Sequence, residues 1–321
     1  MNTPLLILVY NRPIETKILI NALRKIRPKK IFISSDGPTN NFLDKKKNNE
    51  VKNILKQIDW TENIQFNYMK KNYGCKESVS RAINWFFSKV KMGIILEDDC
   101  IPNKDFFSFT EKMLKKYKNN KKIYAVSGNN FLKNKIKIKD TYYFSKYIHC
   151  WGWATWSRAW KDYNKNLIGW NNFKNSRAWK NRFNVKYEKR YWEKIFNLCY
   201  RKKIDSWAYP WLYSLWNKNG LCILPKVNLV KNIGFNINAS HTFSHKKFNY
   251  SAKKLKQKFT SPKNLKINSS ADEYVFNHFF CPKNFLWPYR FMYLLAILFK
   301  QPILFCKIFL KKIFIKRIFK L

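Results

Sequence analysis

The sequence predicts an α/β protein with a mixed, mainly parallel sheet carrying helices on both faces, followed by a basic, apolar helical tail. Two observations lead there. Through roughly the first 130 residues, short apolar runs alternate with helix-length stretches whose apolar residues recur at helical spacing. Three of those runs also end abruptly in polar groups, as strands of a parallel sheet do where they deliver loops to a ligand-binding edge.

Taken in order, the first strand is Leu5 to Tyr10, and Ile14 to Ile26 follows as a helix. Lys30 to Ser34 is the second strand, with Lys45 to Ile58 the helix that returns the chain. Ile64 to Tyr68, Gly93 to Leu96 and Ile123 to Ser127 complete the strands, separated by helices over Glu77 to Val90 and Lys104 to Lys118. From Tyr142 onward tryptophan becomes dense, at 151, 153, 156, 160, 170, 179, 192, 207, 211 and 216. Such rings either pack a core or form walls for a sugar, whose C–H faces stack on indoles. Gly152, within His149-Cys150-Trp151-Gly152-Trp153, permits close backbone approach to a ligand.

The last stretch, Phe285 to Leu321, has Phe291 to Phe299 as its longest uncharged apolar run, far short of the roughly 20 residues of a spanning helix. Beyond it, Lys307, Lys311, Lys312, Lys316, Arg317 and Lys320 alternate with aliphatic and aromatic residues without gathering on one helical face. This composition suits attachment to anionic headgroups, with docking on the protein's own domain as the alternative.

The chain carries 64 basic against 19 acidic residues, a net charge of +45. Only 11 of the basic residues are arginine, and the lysines are scattered with asparagine rather than gathered in a stripe. Biased nucleotide composition gives that pattern without any partner; attraction to anionic lipid or phosphate-bearing substrates is the other reading. The seven cysteines form no C-x-x-C pair, as in reduced, buried thiols of a cytosolic protein. Met1 to Tyr10 runs into a strand without a basic leader or cleavage site, so a cytoplasmic location is expected.

Chemistry concentrates in Glu97-Asp98-Asp99, directly after the apolar Ile94-Ile95-Leu96. Adjacent carboxylates repel, and a cluster at a strand end needs a cation or several donors to stay ionised. Hard oxygen ligands suit Mg or Mn, with further positions left to substrate phosphates. A solvated acidic turn is the plainer alternative. At the same sheet edge, Arg12 can meet a phosphate and Asp36 can accept from a base or ribose, or both serve ordinary turns. Neither G-x-G-x-x-G after the first strand nor G-x-x-x-x-G-K-S/T occurs, which argues against a dinucleotide dehydrogenase and a Walker-type ATPase.

In their order along the chain, these pieces resemble a glycosyltransferase of the GT-A fold, and more narrowly the bacterial sugar transferases related to the eukaryotic N-acetylglucosaminyltransferase I family. The matching residues are Leu8-Val9-Tyr10-Asn11-Arg12-Pro13, Ser35-Asp36, Asn72-Tyr73-Gly74, Ile94 to Asp99 with Pro102 and Asp105-Phe106-Phe107, and Tyr124 to Asn129. The resemblance covers about residues 5 to 245. It implies that Arg12 and Asp36 contact the nucleotide of a sugar-nucleotide donor, with Tyr10 of the opening motif in the same donor-binding set. It implies further that Glu97 and Asp98 hold ribose or donor sugar and that Asp99 binds Mn or Mg. His241, after Asn232-Ile233-Gly234-Phe235, is the candidate for a histidine that helps hold metal or diphosphate, with an ordinary surface histidine the alternative.

The eukaryotic relatives carry their proton acceptor in a Trp-Asp-Asp-Trp segment. Here Asp205-Ser206-Trp207-Ala208-Tyr209-Pro210-Trp211 stands instead, and Ala208 falls on a carboxylate position. Asp205 is the substitute base or a helix cap before Trp207.

The resulting expectation is a GT-A domain over residues 1–285, with a nucleotide-sugar half to about 130 and an acceptor-side half to 285, and a membrane-surface tail at 286–321. Its partners are a nucleoside diphosphate sugar, a UDP-sugar by preference, a lipid-linked or surface-glycan acceptor such as lipopolysaccharide or capsule, and the inner face of the cytoplasmic membrane. Nucleic acid is not expected. A sugar nucleotidyltransferase is the first rival, although Tyr10-Asn11-Arg12-Pro13-Ile14 lacks the glycine-rich, lysine-containing loop of such enzymes. A basic nucleic-acid-binding protein is the second.

Overall fold

A computed structural model describes residues 1–234, 250–255 and 259–280. Elements alternate through the first half: β1 (Leu5–Val9), α1 (Pro13–Arg24), β2 (Ile31–Ser35), α2 (Phe42–Leu55), β3 (Ile64–Tyr68), α3 (Cys75–Lys89), β4 (Met92–Glu97), β5 (Cys100–Pro102), α4 (Lys104–Lys116) and β6 (Ile123–Ser127). There follow β7 (Tyr142–Ser145), β8 (Trp153–Trp156), α5 (Ser157–Trp160), α6 (Trp170–Asn175), α7 (Arg177–Lys180), α8 (Lys186–Tyr200), α9 (Ala208–Asn217), β9 (Leu221–Pro225) and β10 (Val230–Asn232).

The main sheet runs β3-β2-β1-β4-β8-β6-β9-β7. Strands β3, β2, β1 and β4 are mutually parallel, as are β6 and β9. β8 lies antiparallel between β4 and β6, and β7 closes the far edge antiparallel to β9. This is the predicted mixed, mainly parallel sheet.

Alternation along the strands distributes the core over both faces. Leu5, Ile7, Val9, Ile31 and Ile33 share one apolar cluster with Leu19, Ile20 and Leu23 of α1 and Val51 and Leu55 of α2. On the other side Phe32 meets Phe86 of α3, rings edge-on at 5.0 Å. Helix starts follow local chemistry. Pro13 opens α1 with its fixed φ, and the side chains of Asn41 and Asn103 accept from Asp44 N and Phe106 N at the N-caps of α2 and α4.

The tryptophans form a packed core: Trp153, Trp170, Trp179, Trp192, Trp211 and Trp216 are fully buried, and Trp153 stacks on Trp207 at 5.4 Å. Gly152 corrects the expectation of a ligand approaching its backbone. Its φ is +66°, and a Cβ there would lie 2.8 Å from Val230 Cγ2 and 3.1 Å from Leu96 Cδ2, so the space is filled by the protein.

All five described cysteines are free thiols. Among the described residues no helix is long and apolar enough to cross a membrane. The chain divides into two compact units, Met1–Asp272 and Glu273–Leu321. The predicted tail at 286–321 and His241 both lie outside the described residues.

Candidate active site

Because β1, β2 and β4 are parallel neighbours, their carboxyl ends deliver Arg12, Asp36 and the acidic triplet to one edge. Glu97 ends β4, Asp98 and Asp99 form the turn to the short β5, and β5 is paired antiparallel with β10, with Cys100 opposite Asn232. That pairing fastens Asp99 from behind: Ile233 N donates to Asp99 O at 2.8 Å, and Asn232 Nδ2 reaches Asp99 Oδ1 at 3.3 Å. At Gly234 a Cβ would stand 2.1 Å from Asp99 Oδ2, so any larger residue there would displace this carboxylate.

Arg12 bridges two members of the triplet through Nη1, at 2.8 Å from Asp99 Oδ2 and 3.2 Å from Asp98 Oδ1. One guanidinium faces three carboxylates, and the imbalance appears in the acidities of Glu97 and Asp98. Burial first, then the charges of Asp99 and Asp98, push Glu97 up to about 8. Burial and Asp99 push Asp98 up to about 7 against the pull of Arg12. Burial disfavours the charge on Arg12, but Asp98 and Asp99 outweigh it and the net direction is upward.

This donor set fits a hard divalent cation, because two carboxylates at a strand end, short of positive charge, match a metal that takes its other ligands from phosphate and water. Among the described residues no three His, Cys, Asp or Glu side chains are placed to hold a metal unaided. The residues that would hold it are Asp99 and, beside it, Asp98.

Asp36 faces inward. Its carboxylate accepts from Gly37 N at 2.9 Å, Tyr73 N at 3.0 Å and Gly74 N at 3.0 Å, stapling the β2 exit to the loop before α3. Burial raises its pKa against these three donors. Tyr10 is likewise engaged: its hydroxyl donates to Asp44 Oδ2 at 2.6 Å and accepts from Asn72 Nδ2 at 2.9 Å. Asn11 Nδ2 donates to the other oxygen of Asp44 at 2.6 Å, and Asn48 Nδ2 reaches Tyr10 O at 2.9 Å. Asp44, Asn48 and Asn72 therefore set the shape of this loop cluster, although only Asn72 belongs to a motif visible in the sequence. Polar side chains on the inward side of α2, next to buried Val51, were the available signal.

Asp205 does cap a helix, but not its own. α9 begins at Ala208 with no side-chain cap, whereas Asp205 accepts from Cys75 N and Lys76 N at the start of α3, both at 3.2 Å. Its carboxylate thus joins the segment that Asp36 staples one residue earlier. Between them sits Cys75, whose thiol is pushed up to about 12 by burial and then by Glu97 and Asp205. The structure thus gathers Tyr10, Arg12, Asp36, Glu97, Asp98 and Asp99 at one edge and brings Asp205 to the adjoining helix start.

No protein-family model matches the chain, and no match is found among curated proteins. Among solved structures, the chain is similar to a mannosyltransferase from Pyrobaculum calidifontis in complex with GDP-Man and Mn2+, with a TM-score of 0.37, 9% identity, and coverage of 68% of this chain and 70% of that one. It is also similar to 4-diphosphocytidyl-2C-methyl-D-erythritol synthase from Anaerococcus prevotii, with a TM-score of 0.31, 11% identity, and coverage of 61% and 84%.

Proposed function

We propose that the chain is a divalent-metal-dependent glycosyltransferase that moves a sugar from a nucleoside diphosphate donor to a lipid-linked or surface-glycan acceptor. One observation carries the reading: Arg12 bridging Asp98 and Asp99 at the carboxyl edge that also receives Asp36 and Tyr10. Rupture of the anomeric C–O bond leaves negative charge on the departing diphosphate, and preorganised positive charge at that point lowers the barrier. A bound Mn or Mg supplies Lewis acidity there. In this reading Arg12 turns from the carboxylates to the diphosphate, Glu97 and the oxygen of Asp98 not given to the metal accept from donor hydroxyls, and Asp36 holds the Tyr73-Gly74 backbone around the donor. Asp205 is the proposed proton acceptor for the incoming hydroxyl. The basic, apolar segment 286–321 is assigned to the inner membrane surface.

The test is thermal shift with UDP, GDP, CMP and dTDP sugars, each with and without Mn. A shift that needs nucleotide and metal together supports the reading and names the base; none with any pair overturns it. Accumulation of a sugar nucleotide from nucleoside triphosphate and sugar phosphate would instead favour a nucleotidyltransferase.

Two further results are expected. Manganese affinity should tighten between about pH 6 and about pH 8. Glu97 and Asp98, with pKa values raised into this window, retain protons that a cation must displace, and each displaced proton is worth about tenfold per pH unit. An affinity that stays flat in a titration of the free-manganese EPR signal would contradict this. Asp205→Asn keeps a capping oxygen for α3 but loses basicity. Turnover should fall about a hundredfold or more with little change in melting temperature. Full turnover would leave Asp205 as a cap alone.

A further inference from the structure

The first two turns of α1 and the first turn of α2 carry large apolar side chains in solvent beside the site. Ile14 is 72% exposed, Ile18 43%, Phe42 77% and Leu43 62%. On α1, Ile14 and Ile18 lie one turn apart on the side opposite buried Thr16, Leu19, Ile20 and Leu23. On α2, Phe42 and Leu43 open the helix opposite Val51 and Leu55, with exposed Lys45, Lys46 and Lys47 in the turn behind them. Exposed Lys17 stands between the two isoleucines.

The two helix starts belong together and to the site. β1 and β2 are parallel, so the helices leaving them start at the same end of the sheet. Asp44, in the first turn of α2, holds the side chains of Tyr10 and Asn11 at the entrance to α1. Arg12, one residue before α1, is on Asp98 and Asp99. The acidic triplet behind Arg12 is buried or nearly so, Asp44 is occupied by these bonds and Glu15 is half-buried, so exposed Glu50, a turn beyond the lysines, is the exposed carboxylate on these two helix starts.

Apolar tips with a ring of lysines one turn behind suit a lipid surface, since aliphatic and aromatic groups enter the acyl boundary while ammonium groups stay with anionic phosphates. We propose that this face docks on an anionic bilayer and sets the donor site against the membrane. Its use in catalysis rests on the proposed transfer to a lipid-linked acceptor; docking itself does not.

The test is co-sedimentation of the full chain with phosphatidylcholine vesicles, with and without phosphatidylglycerol. It compares the unsubstituted chain, Phe42→Ser/Leu43→Ser, and Lys45→Gln/Lys46→Gln/Lys47→Gln. Segment 286–321 is common to all three, so the comparison reads this face alone. The unsubstituted chain should prefer the anionic vesicles, and each variant should lose about tenfold or more of that partitioning. Equal partitioning of all three proteins overturns the proposal, as does no preference for anionic vesicles in the unsubstituted chain. Thermal shift with nucleotide and Mn on the same proteins separates the two readings. Lost partitioning with the shift kept shows a folded protein without its docking face; a shift absent from all three, with partitioning still dependent on the face, refutes the donor reading and supports docking.

Discussion

Asp99→Asn is expected to abolish the manganese-dependent part of any nucleotide-sugar thermal shift and to lower turnover on the order of a thousandfold. The substitution keeps the size of the side chain and its contact with Gly234, so the loss falls on charge. Several kcal/mol of transition-state stabilisation is the usual worth of a metal at a departing phosphate, which sets the scale. The fold should hold, because Ile233 grips the Asp99 backbone carbonyl and not its side chain. Melting temperature without ligand, manganese binding and turnover, measured together, check this. A variant with undiminished manganese-dependent turnover would remove Asp99 from the metal site.

Arg12→Gln should separate two effects of opposite sign. Without the guanidinium, Asp98 and Asp99 lose the cation that occupies them, so manganese should bind more tightly in the absence of nucleotide. The diphosphate loses its positive partner, and turnover should fall about a hundredfold, the scale for one preorganised donor at a developing anion. Competing protonation of Glu97 and Asp98 limits the gain in metal affinity, which makes high pH the place to look. Weaker manganese binding together with unchanged nucleotide binding would show that Arg12 supports the metal and not the donor.

The first half of the fold was legible because each strand there is a short apolar run with a helix on either side, and parallel neighbours need little further information. The second half was not. β8 is only Trp153 to Trp156, and its indoles draw attention to composition rather than to period-two alternation. Its antiparallel insertion between β4 and β6 is a non-local pairing that no local pattern specifies. The same holds at the site. The acidic triplet, Arg12 and Asp36 stand at strand ends and could be read in place, whereas Asp44 and Asn48 look like ordinary helix polarity. Asp205 carries a local capping signal, yet its partners lie 129 and 130 residues earlier. Sequence position reveals that a carboxylate is available to cap, not which helix it will find.

The strand pairing behind Asp99 also bears on biogenesis. Cys100 leaves the ribosome well before Asn232, its cross-strand partner, and Cys75 well before Asp205. The helices and parallel strands of the first half can form as they emerge, but the acidic turn stays without its rear support until residues 230–234 are made. A nascent chain thus presents a charged, half-built edge from the emergence of Cys100 until Asn232 follows it. The competence of the site is therefore tied to completion of a segment more than a hundred residues downstream, so that a prematurely terminated chain lacks the clamp on Asp99.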